Sequence, residues 1–71
     1  DVGAKAAVVR ALGDAHPGVR REALQALIDF RDLSADDLRR IEAMAADPDE
    51  AVSRWTEIAL RNIRLNGDKS D

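Results

Sequence analysis

The sequence predicts an all-α fold of four helices, arranged as two stacked antiparallel helical hairpins. Three observations favour this fold class. Thirteen of the 71 residues are Ala and seven are Leu, whereas only Phe30 and Trp55 are aromatic, a composition that favours helices over strands. Apolar residues recur at helical spacing. The two halves of the chain also align at one fixed shift, which places Asp14 on Asp47 and indicates an internal structural repeat.

The first two helices are separated by a short polar turn. Apolar spacing predicts a first helix from about Val2 to about Leu12, and Gly13 is a common residue at a helix end. After three loop residues, Pro17 suits the first turn of a second helix because its missing N–H has no partner there. We expect the second helix to end near Arg31.

The third helix begins with a clear capping signal. Ser34 is a favoured N-cap residue, and Asp37 stands three residues later, as in a capping box. The apolar residues that follow occupy a narrow stripe of about 120°, typical of an outer helix with one buried side. This helix is expected to end at about Ala46.

The fourth helix is marked by a second capping signal. Asp47 can cap the helix, Pro48 fits the first helical position, and Glu50 can reach back to the N–H of the cap. We expect the helix to end at about Leu65 and to stop at Asn66-Gly67. One domain then covers 1–66, in units of about 1–31 and 34–65, and 67–71 form a tail.

The second and fourth helices are predicted to be the inner helices. Each is apolar over about 200° of its circumference, so each is expected to be covered on two sides. In the fourth helix this arc includes Ile58, Ala59, Leu60 and Leu65. Trp55 lies in the same arc and is predicted to belong to the core.

The two units align at a shift of 33 residues, the distance from Asp14 to Asp47. We name this alignment the repeat register. Besides Asp14 on Asp47 it places Val19 on Val52, and the remaining matches fall on Arg21 and Arg54, Ala26 and Ala59, Leu27 and Leu60, and Arg31 and Arg64. Each match occupies the same place in a helix–turn–helix unit. A plain four-helix bundle explains the helices but not the repeat register.

Residues 12–27, with the sequence LGDAHPGVRREALQAL, resemble the short HEAT-like repeat of phycobilisome lyase-type proteins. The second unit is similar but departs from the pattern at Ser53, Trp55 and Thr56. The resemblance implies an α-solenoid in which a turn Asp and an inner-helix Arg form a ladder between units. It implies that Arg20 pairs with Asp14 or Asp47, and that the ladder breaks at Ser53.

The bulk properties narrow the partners and the compartment. The net charge of −3 gives no general attraction to nucleic acid or anionic lipid. No segment approaches the about 20 apolar residues that a membrane span requires. The absence of cysteine fits a reducing compartment, so a cytoplasmic location is expected.

No residue pattern indicates an enzyme, a metal site or a cofactor. His16 is the only histidine, and with Asp14 it provides too few ligands for a metal. It is expected to be a solvent-facing turn residue. The carboxylate groups Asp36-Asp37 and Asp47-Asp49-Glu50 lie at predicted helix starts, where negative charge is favoured. Phosphate loops, nucleophile elbows and zinc spacings are absent.

The best candidate recognition surface is a polar stripe on the inner helices. Its residues are Arg54, Glu57, Arg61 and Arg64 on the fourth helix, with Arg21 and Gln25 on the second. A solvated face held by Arg54–Glu57 and Glu57–Arg61 pairs is an equally simple interpretation.

The expected function is that of a non-catalytic protein–protein interaction or scaffold module, as a fragment or terminal cap of a HEAT-like array. Its partner would be another protein, neighbouring repeats or a second copy of the chain. One alternative is a nucleic-acid-binding module that uses the Arg stripe. The other is a lyase-like or chaperone-like accessory role, which only the resemblance implies.

Overall fold

The computed structural model describes residues 2–68. These residues form four α-helices: α1 (Val2–Ala11), α2 (Pro17–Leu27), α3 (Ala35–Ala43) and α4 (Glu50–Asp68). A short 3-10 helix, Met44–Ala46, follows α3 directly. The described part of the chain contains no strand, so the all-α prediction is confirmed.

The helices pack as two hairpins, one stacked on the other. α1 packs on α2, while α3 and the 3-10 helix after it pack on α4. The largest contact between the hairpins joins α2 to α4. The two helices with wide apolar arcs are therefore the inner helices, as the sequence predicts. α1 and α3 lie on the outside, each with one buried side.

A small apolar core joins the hairpins. Its buried residues are Leu12, Ala23, Leu24, Leu27, Ile41, Val52 and Ala59. Each hairpin contributes to this cluster, so the core is continuous across the stack. Fully burying one Leu, Ile or Val side chain contributes about 1.5–3 kcal/mol, and a domain of this size has few such side chains.

The predicted capping box at α3 is confirmed. The Ser34 hydroxyl accepts the Asp37 N–H at 3.1 Å, and the Asp37 carboxylate accepts the Ser34 N–H at 2.9 Å. The Ser34 backbone bond, assisted by the ammonium of Lys5, lowers the pKa of Asp37. Lys5 also donates to the Asp32 carbonyl at 2.8 Å, which ties α1 to the loop before α3. No sequence pattern pointed to this role for Lys5.

Two predicted helix ends are too late. α2 ends at Leu27 rather than near Arg31, because the chain tightens into i→i+3 turns in which Asp29 donates to Ala26 and Phe30 to Leu27. α3 ends at Ala43, and its predicted last residues 44–46 form the 3-10 helix instead. Tightening of this kind satisfies the terminal carbonyls of a helix.

The predicted start of α4 is wrong by two residues. The helix begins at Glu50, and the residue that caps it is Asp49, whose carboxylate accepts the Val52 N–H at 3.2 Å. Asp47 lies two residues earlier, where its carboxylate accepts the Asp49 N–H and the guanidinium of Arg20. Pro48 therefore precedes the cap instead of opening the helix.

The predicted end of α4 is also wrong. The helix does not stop at Asn66-Gly67 but continues to Asp68, so the first two residues of the predicted tail are helical. One Gly lowers helix stability by about 1 kcal/mol, which does not suffice to break a helix of 19 residues. The rest of that tail, 69–71, lies outside the described residues.

Candidate functional site

Arg20 bridges the two hairpins. Its Nε donates to Asp47 Oδ2 at 2.8 Å and its Nη2 to Asp47 Oδ1 at 3.0 Å. Its Nη1 donates to the backbone carbonyls of Asp14 at 2.7 Å and Ala15 at 3.2 Å. Two parallel charge-assisted bonds hold the guanidinium in one orientation. Of the two expected carboxylate partners, Asp47 forms the ion pair and Asp14 contributes its carbonyl.

The bridge is largely withdrawn from solvent. The side chains of Arg20 and Asp47 are 15% and 8% exposed. The hydrogen bonds from Arg20 and from the Asp49 backbone lower the pKa of Asp47. This pair joins α2 to the turn before α4.

The turns before α2 and α4 have the same geometry. Asp14 Oδ1 accepts the His16 N–H at 2.9 Å, and Asp47 Oδ1 accepts the Asp49 N–H at 2.9 Å. The two turns are equivalent in the repeat register, as are the first residues of α2 and α4. His16 itself is exposed and its side chain makes no capping bond, as expected of a turn residue.

The exposed side of α4 combines arginines with apolar side chains. We name this surface the α4 stripe; it consists of Arg54, Ile58, Arg61 and Leu65, spaced at i, i+4, i+7 and i+11. Ile58 is 43% exposed and Leu65 is 53% exposed. The sequence interpretation placed both in the buried arc, and that placement is wrong because α4 turns this side away from α2 and α3.

The ion pairs around the stripe differ from the expected ones. Arg54 pairs with Glu50 at 3.1 Å, and Arg64 approaches Glu42 at 3.9 Å. Glu57 and Arg61 are exposed and form no ion pair within the described residues. Arg61 therefore lies at the centre of the stripe without an ion-pair partner among the described residues.

Trp55 is half-buried and packs against the core. With Glu50, Ala51, Arg54 and Ile58 it lines a shallow open groove beside the α4 stripe. The predicted core position of Trp55 is thus correct only in part. The fully buried residue next to it is Thr56, whose hydroxyl donates to the Val52 carbonyl at 2.9 Å.

The remaining candidates lie on α2. Arg21 and Gln25 are both exposed, and the repeat register makes them the counterparts of Arg54 and Ile58. The sequence predicts the charged members of this surface but not its exposed apolar members, Ile58 and Leu65. Their spacing among the arginines was the signal that could have found them.

Comparison with family models, with curated proteins and with solved structures finds no match to the chain. Within the described residues, no group of three or more His, Asp or Glu side chains could hold a metal ion. In the same part of the chain, no helix is both long and apolar enough to cross a membrane.

Proposed function

We propose that the chain is a non-catalytic protein–protein interaction module built from two HEAT-like units, and that it serves as the terminal part of a helical array. The α4 stripe is the proposed partner-binding surface. A single observation carries this proposal: Ile58 and Leu65 are exposed on one side of α4, where they alternate along the helix with Arg54 and Arg61.

The chemistry of this surface suits a protein partner. Apolar anchors and arginines are the side chains that concentrate at the centres of protein interfaces. The shallow groove beside Trp55 adds an aromatic edge, and Trp is prominent among residues that dominate binding. An amphipathic partner with an acidic rim would bury Ile58 and Leu65 and neutralise Arg61.

The internal repeat is supported by geometry that recurs in the repeat register. The inner helices start at the equivalent positions Pro17 and Glu50. The Asp14 and Asp47 turns have equal bond lengths. The Arg20–Asp47 pair links one unit to the next in the way the ladder of a helical array requires.

The nucleic-acid alternative is weaker on this surface. A phosphate-binding stripe needs uncompensated positive charge, but Arg54 is paired with Glu50 and Arg64 faces Glu42. Anisotropy of labelled duplex DNA, measured over a range of salt concentrations, tests this alternative. Binding that weakens steeply with salt and is lost on Arg61→Glu would favour nucleic acid over protein.

Site-directed photocrosslinking tests the protein-binding proposal. Ile58 is replaced by p-benzoylphenylalanine, and the chain is irradiated in an extract of its source cells. Arg39, which is exposed on α3, carries the same probe as the control. We expect a crosslinked protein at position 58 that is absent at position 39, and that is lost on combined Arg61→Glu and Arg64→Glu.

The charge reversal has its own control in Arg39→Glu combined with Arg40→Glu, two exposed arginines on α3. This variant changes the net charge equally but leaves the α4 stripe intact, so it should retain the crosslink. Equal labelling at positions 58 and 39, or a crosslink that survives reversal of Arg61 and Arg64, would refute the proposal.

A further inference from the structure

The end of the stack formed by α1 and α2 carries a shallow apolar surface. We name it the α1–α2 face; its exposed or half-buried lining residues are Ala7, Val8, Ala11, Val19, Glu22 and Ala26. Val19, at 36%, is one of three large exposed hydrophobic residues in the described chain, and the other two belong to the α4 stripe. This face is separate from the stripe.

The same positions are covered in the second unit. Val52, the counterpart of Val19 in the repeat register, is 0% exposed. Ala59 is 0% exposed, whereas its counterpart Ala26 is exposed. What buries Val52 and Ala59 is the first unit, because α4 packs on α2. The α1–α2 face is thus the same stacking surface without a neighbour.

The opposite end of the stack, which we name the polar end, carries charged residues at the positions equivalent to those that α2 uses to contact α4. At 100° per residue, Leu24 and Ile28 lie on the side of α2 away from Val19, and this side meets α4. The counterpart of Leu24 on α4 is Glu57 and that of Ile28 is Arg61, and both are exposed. Within the described residues, the central stacking positions of the polar end are therefore charged, although Ile58 and Leu65 of the α4 stripe lie beside them.

Charge adds a second requirement for whatever covers the α1–α2 face. Between the units, Asp47 accepts the guanidinium of Arg20. Asp14 occupies the equivalent turn, and its side chain forms no ion pair within the described residues. Glu22 contributes another carboxylate, and the described lining of the face includes no cation. A complementary surface needs apolar side chains and one Arg directed at Asp14.

We infer that the α1–α2 face docks a further helical hairpin, from outside residues 1–71, whose inner helix presents Leu and Ile beside an Arg that binds Asp14. This inference rests on the proposed function only in treating the chain as part of a helical array. A second copy fits poorly. Its polar end has Ser53 in place of Arg20, and a face-to-face pair would bring the carboxylates of Asp14 and Glu22 together.

Duplicating the first unit supplies such a hairpin. A copy of residues 1–33 is joined directly before residue 1, which preserves the repeat register and places the copied Arg20 opposite Asp14. The copy contains no Trp, so Trp55 fluorescence still reports on the original second unit. We expect a higher urea midpoint and one transition about 1.5-fold steeper, because the slope scales with the surface exposed on unfolding.

Two variants of the original unit test the contact itself. Ala26→Glu changes an exposed site, so it should leave the 71-residue chain unaffected yet abolish the gain in the fusion. Asp14→Asn keeps an acceptor for the His16 turn and should remove part of the gain. As a matched control, residues 34–66 are duplicated after residue 66, against the polar end. This fusion should show no rise in the midpoint.

Three results would overturn the inference. The first is an unchanged Trp55 midpoint in the first fusion, and the second is an equal rise in the control fusion. The third is concentration-dependent dimerisation of the 71-residue chain that Ala26→Glu abolishes, which would assign the face to a second copy. Crosslinking at Ile58 is independent of all three, so failure there would refute the partner-binding proposal and leave the docking inference intact.

Discussion

Replacing Leu27 with Ala should remove a large part of the stability of the protein. Leu27 is fully buried in the core that joins the hairpins. Removing a buried Leu side chain beyond Cβ costs about 2–5 kcal/mol, through lost transfer free energy and the cavity left behind. A domain of 71 residues has a free energy of unfolding of about 4–10 kcal/mol at typical values per residue. Leu27→Ala should therefore leave a marginally folded chain.

Urea denaturation measures this change, with far-UV circular dichroism and Trp55 fluorescence recorded on the same samples. Leu65→Ala is the matched control, because Leu65 is 53% exposed on α4 and the same truncation there should change stability by less than about 0.5 kcal/mol. A loss below about 1 kcal/mol for Leu27→Ala, or equal losses for the two variants, would refute the described core.

Three further predictions concern polar groups. Hydrogen bonding to Arg20 lowers the pKa of Asp47 below 3.8. The ionised carboxylate therefore stabilises the fold above about pH 4, and this contribution is lost as pH falls through the lowered pKa. Asp47→Asn should flatten the pH dependence of the urea midpoint below about pH 4. Ser34→Ala should lower the free energy of unfolding by about 1 kcal/mol by removing the α3 cap. Thr56→Val should change it by less than about 1 kcal/mol, because the Val52 carbonyl keeps its helical N–H bond.

Each of these predictions has a control and an opposing result. Asp29→Asn makes the same charge change at an exposed site and should leave the pH dependence intact; equal flattening by both would contradict the role of Asp47. Ser34→Asp should retain the cap. If it lowers the free energy of unfolding as much as Ser34→Ala does, the capping role of residue 34 is contradicted. A loss above about 2 kcal/mol for Thr56→Val would show that its hydroxyl is essential.

Local chemistry made much of this fold predictable. Pro17 can occupy a helix only in its first turn, and Ser34 with Asp37 permits one low-energy helix start. The wide apolar arcs of α2 and α4 identified them as inner helices. The resemblance implied that Arg20 pairs with Asp14 or Asp47, and the structure has the pair with Asp47.

The features that could not be predicted depend on tertiary contacts. Asp47 and Asp49 flank Pro48 and both can cap a helix; in the structure Asp47 accepts the Asp49 N–H and the Arg20 guanidinium, and Asp49 caps α4. Composition likewise does not predict that Ile58 is exposed. In the packed structure Thr56 is buried in the core and Ile58 faces solvent. The arginines of the α4 stripe could therefore be predicted from the sequence. The exposure of Ile58 and Leu65 depends on the packing of α4 and could not.

The central proposal is that two equivalent units stack in the repeat register and leave the α1–α2 face open. Placing Leu at Ala59 and, separately, at Ala26 tests it most directly, because these counterparts differ in burial alone. Urea denaturation should show a loss of about 1–3 kcal/mol for Ala59→Leu, since the site between the hairpins has no room. Ala26→Leu should change stability by less than about 0.5 kcal/mol. Equal losses at the two positions would contradict the stacked arrangement and its open end.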